Sequence, residues 1–402
     1  MKFNKYIPFA ILYFFLNSFL LPPGLTYTAL LSPLFYWWVV ATRKEEILVP
    51  FIMALFPFIL VHIYFVGVNA QAYLKSLVNL TAVYIFCQAF YTFLKTSNNI
   101  EKVFRTILYL NFIFCLVAIP VYFSSNYELL WIEQNMGGAL KGVRRLKLFT
   151  YEASYYATLF APIFCFYFLQ IILRKNRINS WILLPMLFIP LILSLSLGVL
   201  SCLVFAFLIC FIFYFISLLS RKRVVNIIAM FLMIFIPTLF ILALINPENL
   251  LFERVQNILS GQDASGKGRT TEAFTIANIL LDKKDQFWGI GLGQVKILGA
   301  DTIRSFYMYQ MDYDIISIPN VTAETLAMFG WIGLLIRFGL EIFLFVYTKV
   351  WTNYFRLVVF FFIFIYQFTG SFITNNAEYV LWILAFTNVF REFDVKRKFS
   401  SL

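Results

Sequence analysis

The chain has 402 residues, of which 61% are hydrophobic, 20% aromatic and only 13% charged, with a mean hydropathy of +0.82 and a net charge of +12. Soluble folds cannot hide this much apolar surface, and a transmembrane barrel would alternate over segments of about ten residues instead of running continuously. The composition therefore predicts an all-α polytopic membrane protein, one integral membrane domain over residues 1–402. In that setting a basic balance reports topology, not a nucleic-acid partner.

Taken in chain order, apolar runs and their charged breaks predict about twelve spans. They fall near 6–23, 25–41, 47–66, 76–94, 103–123, 153–173, 181–197, 199–219, 224–245, 322–348, 357–372 and 377–390. The first, Ile7–Leu21 behind Lys2 and Lys5, resembles a signal sequence. It lacks a small-x-small cleavage site and runs on through a PPG turn, so it reads as a retained span. The stretch 181–220 carries no charge over about forty residues and predicts two helices turning near Ser194–Gly198. Cys87, Cys115, Cys165, Cys202 and Cys210 all lie in apolar runs without metal-ligand spacing, and His62 is the only histidine. No metal or cofactor is expected from these residues.

With the N-terminus inside, 19 of the 32 basic residues fall in short inner segments, which fixes both termini as cytoplasmic. Eleven outer basic residues concentrate in two loops, a shorter one at 124–152 and a large one at 246–321. Long loops translocate regardless of charge, so the large one is neutral on this point. Lys141, Arg144, Arg145 and Lys147, by contrast, sit in the shorter loop close to the next span, where cations oppose insertion. Either they serve a function or they form a patch solvated by lipid headgroups.

Arginine presents a planar fork of donors suited to diphosphate oxygens. In the large loop, SGKGRTTEAFTIANILL sets Arg269 after glycines and before Thr270 or Thr271, either of which can cap an amphipathic helix with a stripe of Phe274, Ala277 and Leu281. A helix N-terminus beside an arginine is an anion site in the making. FWGIGLGQV follows, with Gly289, Gly291 and Gly293 allowing a tight turn. Neither a P-loop over 261–267 nor a dinucleotide fingerprint over the glycines has the strand context such motifs need. Tyr307, Tyr309, Asp312 and Tyr313 could hold sugar faces and hydroxyls, or form an interfacial aromatic belt. Arg337 and Glu341, spaced i,i+4 within a span, read either as a structural pair or as a substrate contact. Glu324 and Glu378 at outer span ends, and Glu152 nearest the cation cluster, are candidate general bases, with Glu152 favoured.

Together these motifs resemble the bacterial O-antigen polymerase (Wzy) and O-antigen ligase family. The resemblance lies in RRLKLFTYEASYYA at 144–157, the uncharged 181–220 hairpin, GRTTEAFTIANILLDKKDQFWGIGLG at 268–293 and NVTAETLAMFGWIGLL at 320–335. It implies a GT-C-like, metal-independent glycosyltransferase without cofactor in the bacterial inner membrane, with its active site facing the periplasm. The substrate implied is an undecaprenyl-diphosphate-linked oligosaccharide, with membrane lipids and possible chain-length regulator and flippase partners. Within that pattern Arg144 or Arg145 and Arg269, with Arg254, would bind diphosphate, and Glu152 and Arg269 would be catalytic. The large loop lacks the histidine usual in ligases, which favours a polymerase. Ala153 stands where the family often has proline, and no Arg-x10-Gly pattern occurs in either loop. A ligase and, from another class, a lipid-linked oligosaccharide flippase are the alternatives.

Overall fold

A computed structural model describes residues 6–22, 25–97, 99–134, 143–214, 264–307 and 317–395. The predicted span at 224–245 lies outside them, as do Lys141, Arg254, Tyr309, Asp312 and Tyr313. The described chain is mostly helical. In order it forms α1 (Ile7–Leu16), α2 (Tyr27–Leu30), α3 (Ser32–Arg43), α4 (Leu48–Val66), α5 (Ala70–Thr96) and α6 (Ile100–Val121). Strands β1 (Trp131–Gln134) and β2 (Val143–Leu146) precede α7 (Ala153–Leu173), α8 (Ser180–Ser194) and α9 (Leu197–Phe213). Then come α10 (Ala264–Arg269), α11 (Thr271–Asp282), α12 (Val295–Phe306), α13 (Val321–Tyr347), α14 (Tyr354–Tyr366) and α15 (Asn376–Phe386). Among the described residues five helices are long and apolar enough to cross a membrane: α4, α5, α6, α7 and α13 with its continuation. Several shorter apolar helices accompany them, so the molecule is a membrane-embedded helical protein.

Short polar side chains set where the helices begin. Asn69, Asn99, Asn179, Asn320, Asn353 and Asn375 each accept a backbone N–H two or three residues on, at the start of α5, α6, α8, α13, α14 and α15. Cations mark the other ends: Lys44, Arg174 and Lys349 follow α3, α7 and α13 in left-handed conformations, where a positive charge meets the helix dipole.

The core is built around α7. Within its apolar window 78% of residues are buried, against 17% for α4, so α7 is the central helix and α4 a peripheral, lipid-facing one. Phe166 of α7 packs on Phe390 and Phe393 at centroid distances of 4.5 and 5.3 Å. The turn between α8 and α9 falls at Leu195–Ser196, within the predicted stretch.

Two departures from the sequence reading bear on the site. The fold is not purely α, because β1 and β2 pair antiparallel, Trp131 opposite Leu146 and Glu133 opposite Arg144. Trp131 and Leu146 are buried, and the Trp131 indole donates to the Ala118 carbonyl at 2.8 Å, which seals this hairpin onto α6. The second departure is that α13 is two helices meeting at Gly330, whose φ of 64° and ψ of −166° is a conformation essentially restricted to glycine. Residues 286–291 thread the break. Ile290 and Gly291 donate to the Ala327 and Met328 carbonyls, and Trp331 and Ile332 donate to those of Gln286 and Phe287. A Cβ on Gly289 would lie 2.5 Å from the Met328 carbonyl carbon, so the two glycines permit the crossing. From Val321 to Gly330 only Glu324 escapes full burial; beyond Gly330 much of the helix is exposed toward lipid.

Candidate functional site

At one end of the bundle the starts of α7, α13 and α15 meet the end of α14. Asn320 is the knot, since its amide donates to the carbonyls of Arg269 and Phe368 at 2.7 Å each while its oxygen caps α13. Glu324 accepts the Ile373 N–H at 2.7 Å, holding the turn between α14 and α15. These contacts carry Arg269 to the mouth of α7.

There the Arg269 guanidinium lies 3.4 Å from the Glu152 carboxylate, with side chains 33% and 22% exposed. Ser154 Oγ donates to the same Glu152 oxygen at 2.6 Å, and the Thr150 hydroxyl to the Glu152 carbonyl at 2.9 Å. The pair lines a cleft with Tyr151, Tyr155, Tyr366, Ser371 and Asn375, whose free volume of about 20 Å³ accommodates one water. Tyr151 and Tyr155 stack at 4.8 Å, forming an aromatic platform beside the ion pair. Burial, reinforced by Tyr155 and Glu152, holds the Tyr151 hydroxyl well above its ordinary pKa, so it stays a neutral donor.

The structure thus joins the favoured carboxylate of the shorter loop to the arginine of the large one. Arg144 and Arg145 are directed elsewhere. Arg145 is buried, and its Nε donates to the carbonyl of Ser194, the last residue of α8, at 3.0 Å. It neutralises a helix C-terminus. Arg144 stacks over Tyr127 at 3.7 Å, donates to the Tyr122 carbonyl at 2.7 Å and faces Glu133 at 3.7 Å. Neither lines the cleft. The structure therefore does not bring them beside Arg269: β alternation turns Arg145 under the hairpin and Arg144 onto it.

The expected helix cap is also different. Residues 264–269 are helical, and the Thr270 hydroxyl donates back to the Gly266 carbonyl at 2.7 Å instead of capping α11. The buried stripe is Ala273, Ile276, Ala277, Leu280 and Leu281, with Phe274 only half-buried. Tyr307 donates to Glu272 at 2.9 Å. Arg337 and Glu341 do contact each other, at 3.1 Å, and Arg337 also bonds Glu378. Glu378 accepts from Ser371 Oγ at 2.6 Å, and Asn375 donates to that Ser371 at 2.9 Å. Tyr151, Tyr155, Tyr366, Ser371 and Asn375 are site residues that sequence reasoning passed over. The usable signal for two of them was adjacency to Glu152, and for Asn375 its position as a helix cap.

Searched against protein-family models and curated proteins, the chain matches none.

Proposed function

We propose that the protein is a polymerase of lipid-linked glycans, transferring a growing glycan from undecaprenyl diphosphate to the acceptor sugar of an incoming lipid-linked unit at the outer face of a bacterial inner membrane. The observation that carries this reading is the meeting of Arg269 and Glu152, from two segments far apart in the chain, beside the Tyr151–Tyr155 stack. In the reaction the acceptor oxygen attacks the anomeric carbon, the bond to the diphosphate oxygen breaks, and the diphosphate leaves with the electron pair. Arg269 stabilises that leaving charge and Glu152 takes the acceptor proton. Binding diphosphate exchanges the 3.4 Å Glu152 contact for phosphate oxygens, which also frees the base.

A transport reading has one observation in its favour: a helix broken at Gly330 above an intramembrane Arg337–Glu341–Glu378 cluster, an arrangement seen in transporters. Deleting the gene in a glycan-producing host separates the readings. A polymerase mutant retains single repeat units on the final acceptor; a ligase mutant accumulates long chains on undecaprenyl diphosphate; a flippase mutant traps single units inside.

A further inference from the structure

We propose that Arg337, Glu341 and Glu378 form a proton-binding site inside the membrane, with one proton held on Glu341 at neutral pH. The inference begins with charge. One guanidinium, ionised at any accessible pH, touches two carboxylates, and the three side chains are only 13%, 8% and 0% exposed. Among the described residues no second cation forms an ion pair with either carboxylate. A buried net negative charge is far costlier than a neutral carboxylic acid, so the cluster neutralises itself by binding a proton.

Geometry selects the holder. Glu378 is sealed, with one oxygen on Arg337 Nη2 and the other on Ser371 Oγ at 2.6 Å. The single Nε hydrogen of Arg337 points to Gln367 Oε1 at 2.9 Å, so Glu341 Oε1, ion-paired 3.1 Å from the same nitrogen, must share it. The Gln367 amide donates to the other Glu341 oxygen at 3.0 Å. Arg337 and Glu341 border a groove of about 630 Å³, whose walls include Val83, Cys87, Leu340 and Trp382. That groove is the route by which a proton reaches Glu341. Among the described residues the other titratable groups facing the cluster are Tyr84, Cys87 and Tyr91 of α5, Tyr379 of α15 and Glu324 of α13, with Lys296 acting on Glu324. None supplies a second positive charge to Glu341 or Glu378. The site is independent of the glycosyl-transfer reading.

Infrared difference spectroscopy of the full chain in lipid nanodiscs tests it by the carbonyl stretch of protonated carboxyl groups at neutral pH. Wild-type protein should show the band. Glu341→Gln and Glu378→Gln should each lose one carboxyl's share, because the remaining carboxylate alone neutralises Arg337. Arg337→Gln should raise the cluster's share twofold, and Glu324→Gln should leave that share unchanged. Absence of the band in wild type overturns the proposal without any variant. So does its full retention in either Glu341→Gln or Glu378→Gln, or its loss in Glu324→Gln alone. Should Arg337→Gln fail to fold, the two near-isosteric glutamine variants decide.

Discussion

Two groups of arginines that look alike in sequence have opposite fates in the fold. Arg144 and Arg145 lie in a short β-hairpin whose register turns one under the hairpin and stacks the other on it, and both charges are spent on local partners. Arg269 ends a helical turn whose last carbonyl is held by Asn320, and among the described residues its guanidinium forms an ion pair with one loose, partly exposed carboxylate at a cleft. A cation fixed by nearby backbone acceptors contributes to stability. One held by a 3.4 Å contact to a single carboxylate is available to a ligand.

That contrast can be broken by substitution. On the polymerase reading proposed above, the largest effect belongs to Arg269→Ala, expected to cut glycan polymerisation roughly 10²–10³-fold, the cost of losing one donor to a developing charge. Stability should fall by less than about 1 kcal/mol, because the Glu152 pair is partly exposed. Pairing a polymerisation assay with thermal unfolding tells the two apart, and a large loss of stability with normal polymerisation would reverse their roles. Arg145→Ala should do the opposite, costing about 2–3 kcal/mol because a charge-assisted bond to a buried carbonyl is lost. Activity per folded molecule should persist; if it vanishes while the protein stays folded, Arg145 belongs to the site after all. Arg144→Ala should cost about 1 kcal/mol for the ring contact with Tyr127, with Arg144→Lys recovering part of it. The smallest effect concerns Lys147, whose pKa burial lowers. Between that lowered value and the ordinary lysine value the unfolded chain binds more protons than the folded one, so stability rises with pH across this window. Lys147→Met should flatten the slope in unfolding measured against pH.

Much of the helical layout was legible because hydropathy and helix length are linked by the membrane itself. Ala153–Leu173 coincides with its predicted span, and α13 with its own to within one residue at each end. What could not be read was how segments with no sequence proximity exchange partners. The VRRL strand has no long alternating run, so its pairing with WIEQ depends on Trp131 finding α6 and Arg145 finding the end of α8, tertiary facts. The Gly330 break is invisible to hydropathy because the whole of Val321–Tyr347 passes as one apolar span; burial separates its two parts, and only the partner segment reveals why. At the site, Glu152 and Arg269 were nameable one by one as the right residue types near helix starts. Their meeting was not, since it runs through Asn320 and Glu324, whose polar roles show only when α13, α14 and α15 are brought together.

The threading of 286–291 through the Gly330 break also has a consequence for biogenesis. The threaded segment is synthesised before the helix it stitches, so for the time taken to make some forty more residues its four backbone partners do not exist. The threaded segment therefore cannot reach its final structure until α13 has formed and has opened at Gly330. Because the stitch is backbone to backbone, it tolerates most side-chain changes on either strand, but it closes only when both Gly289 and Gly330 are glycine. A Gly330→Ala protein should thus be caught at this late step, with its helices formed and residues 286–291 open to protease.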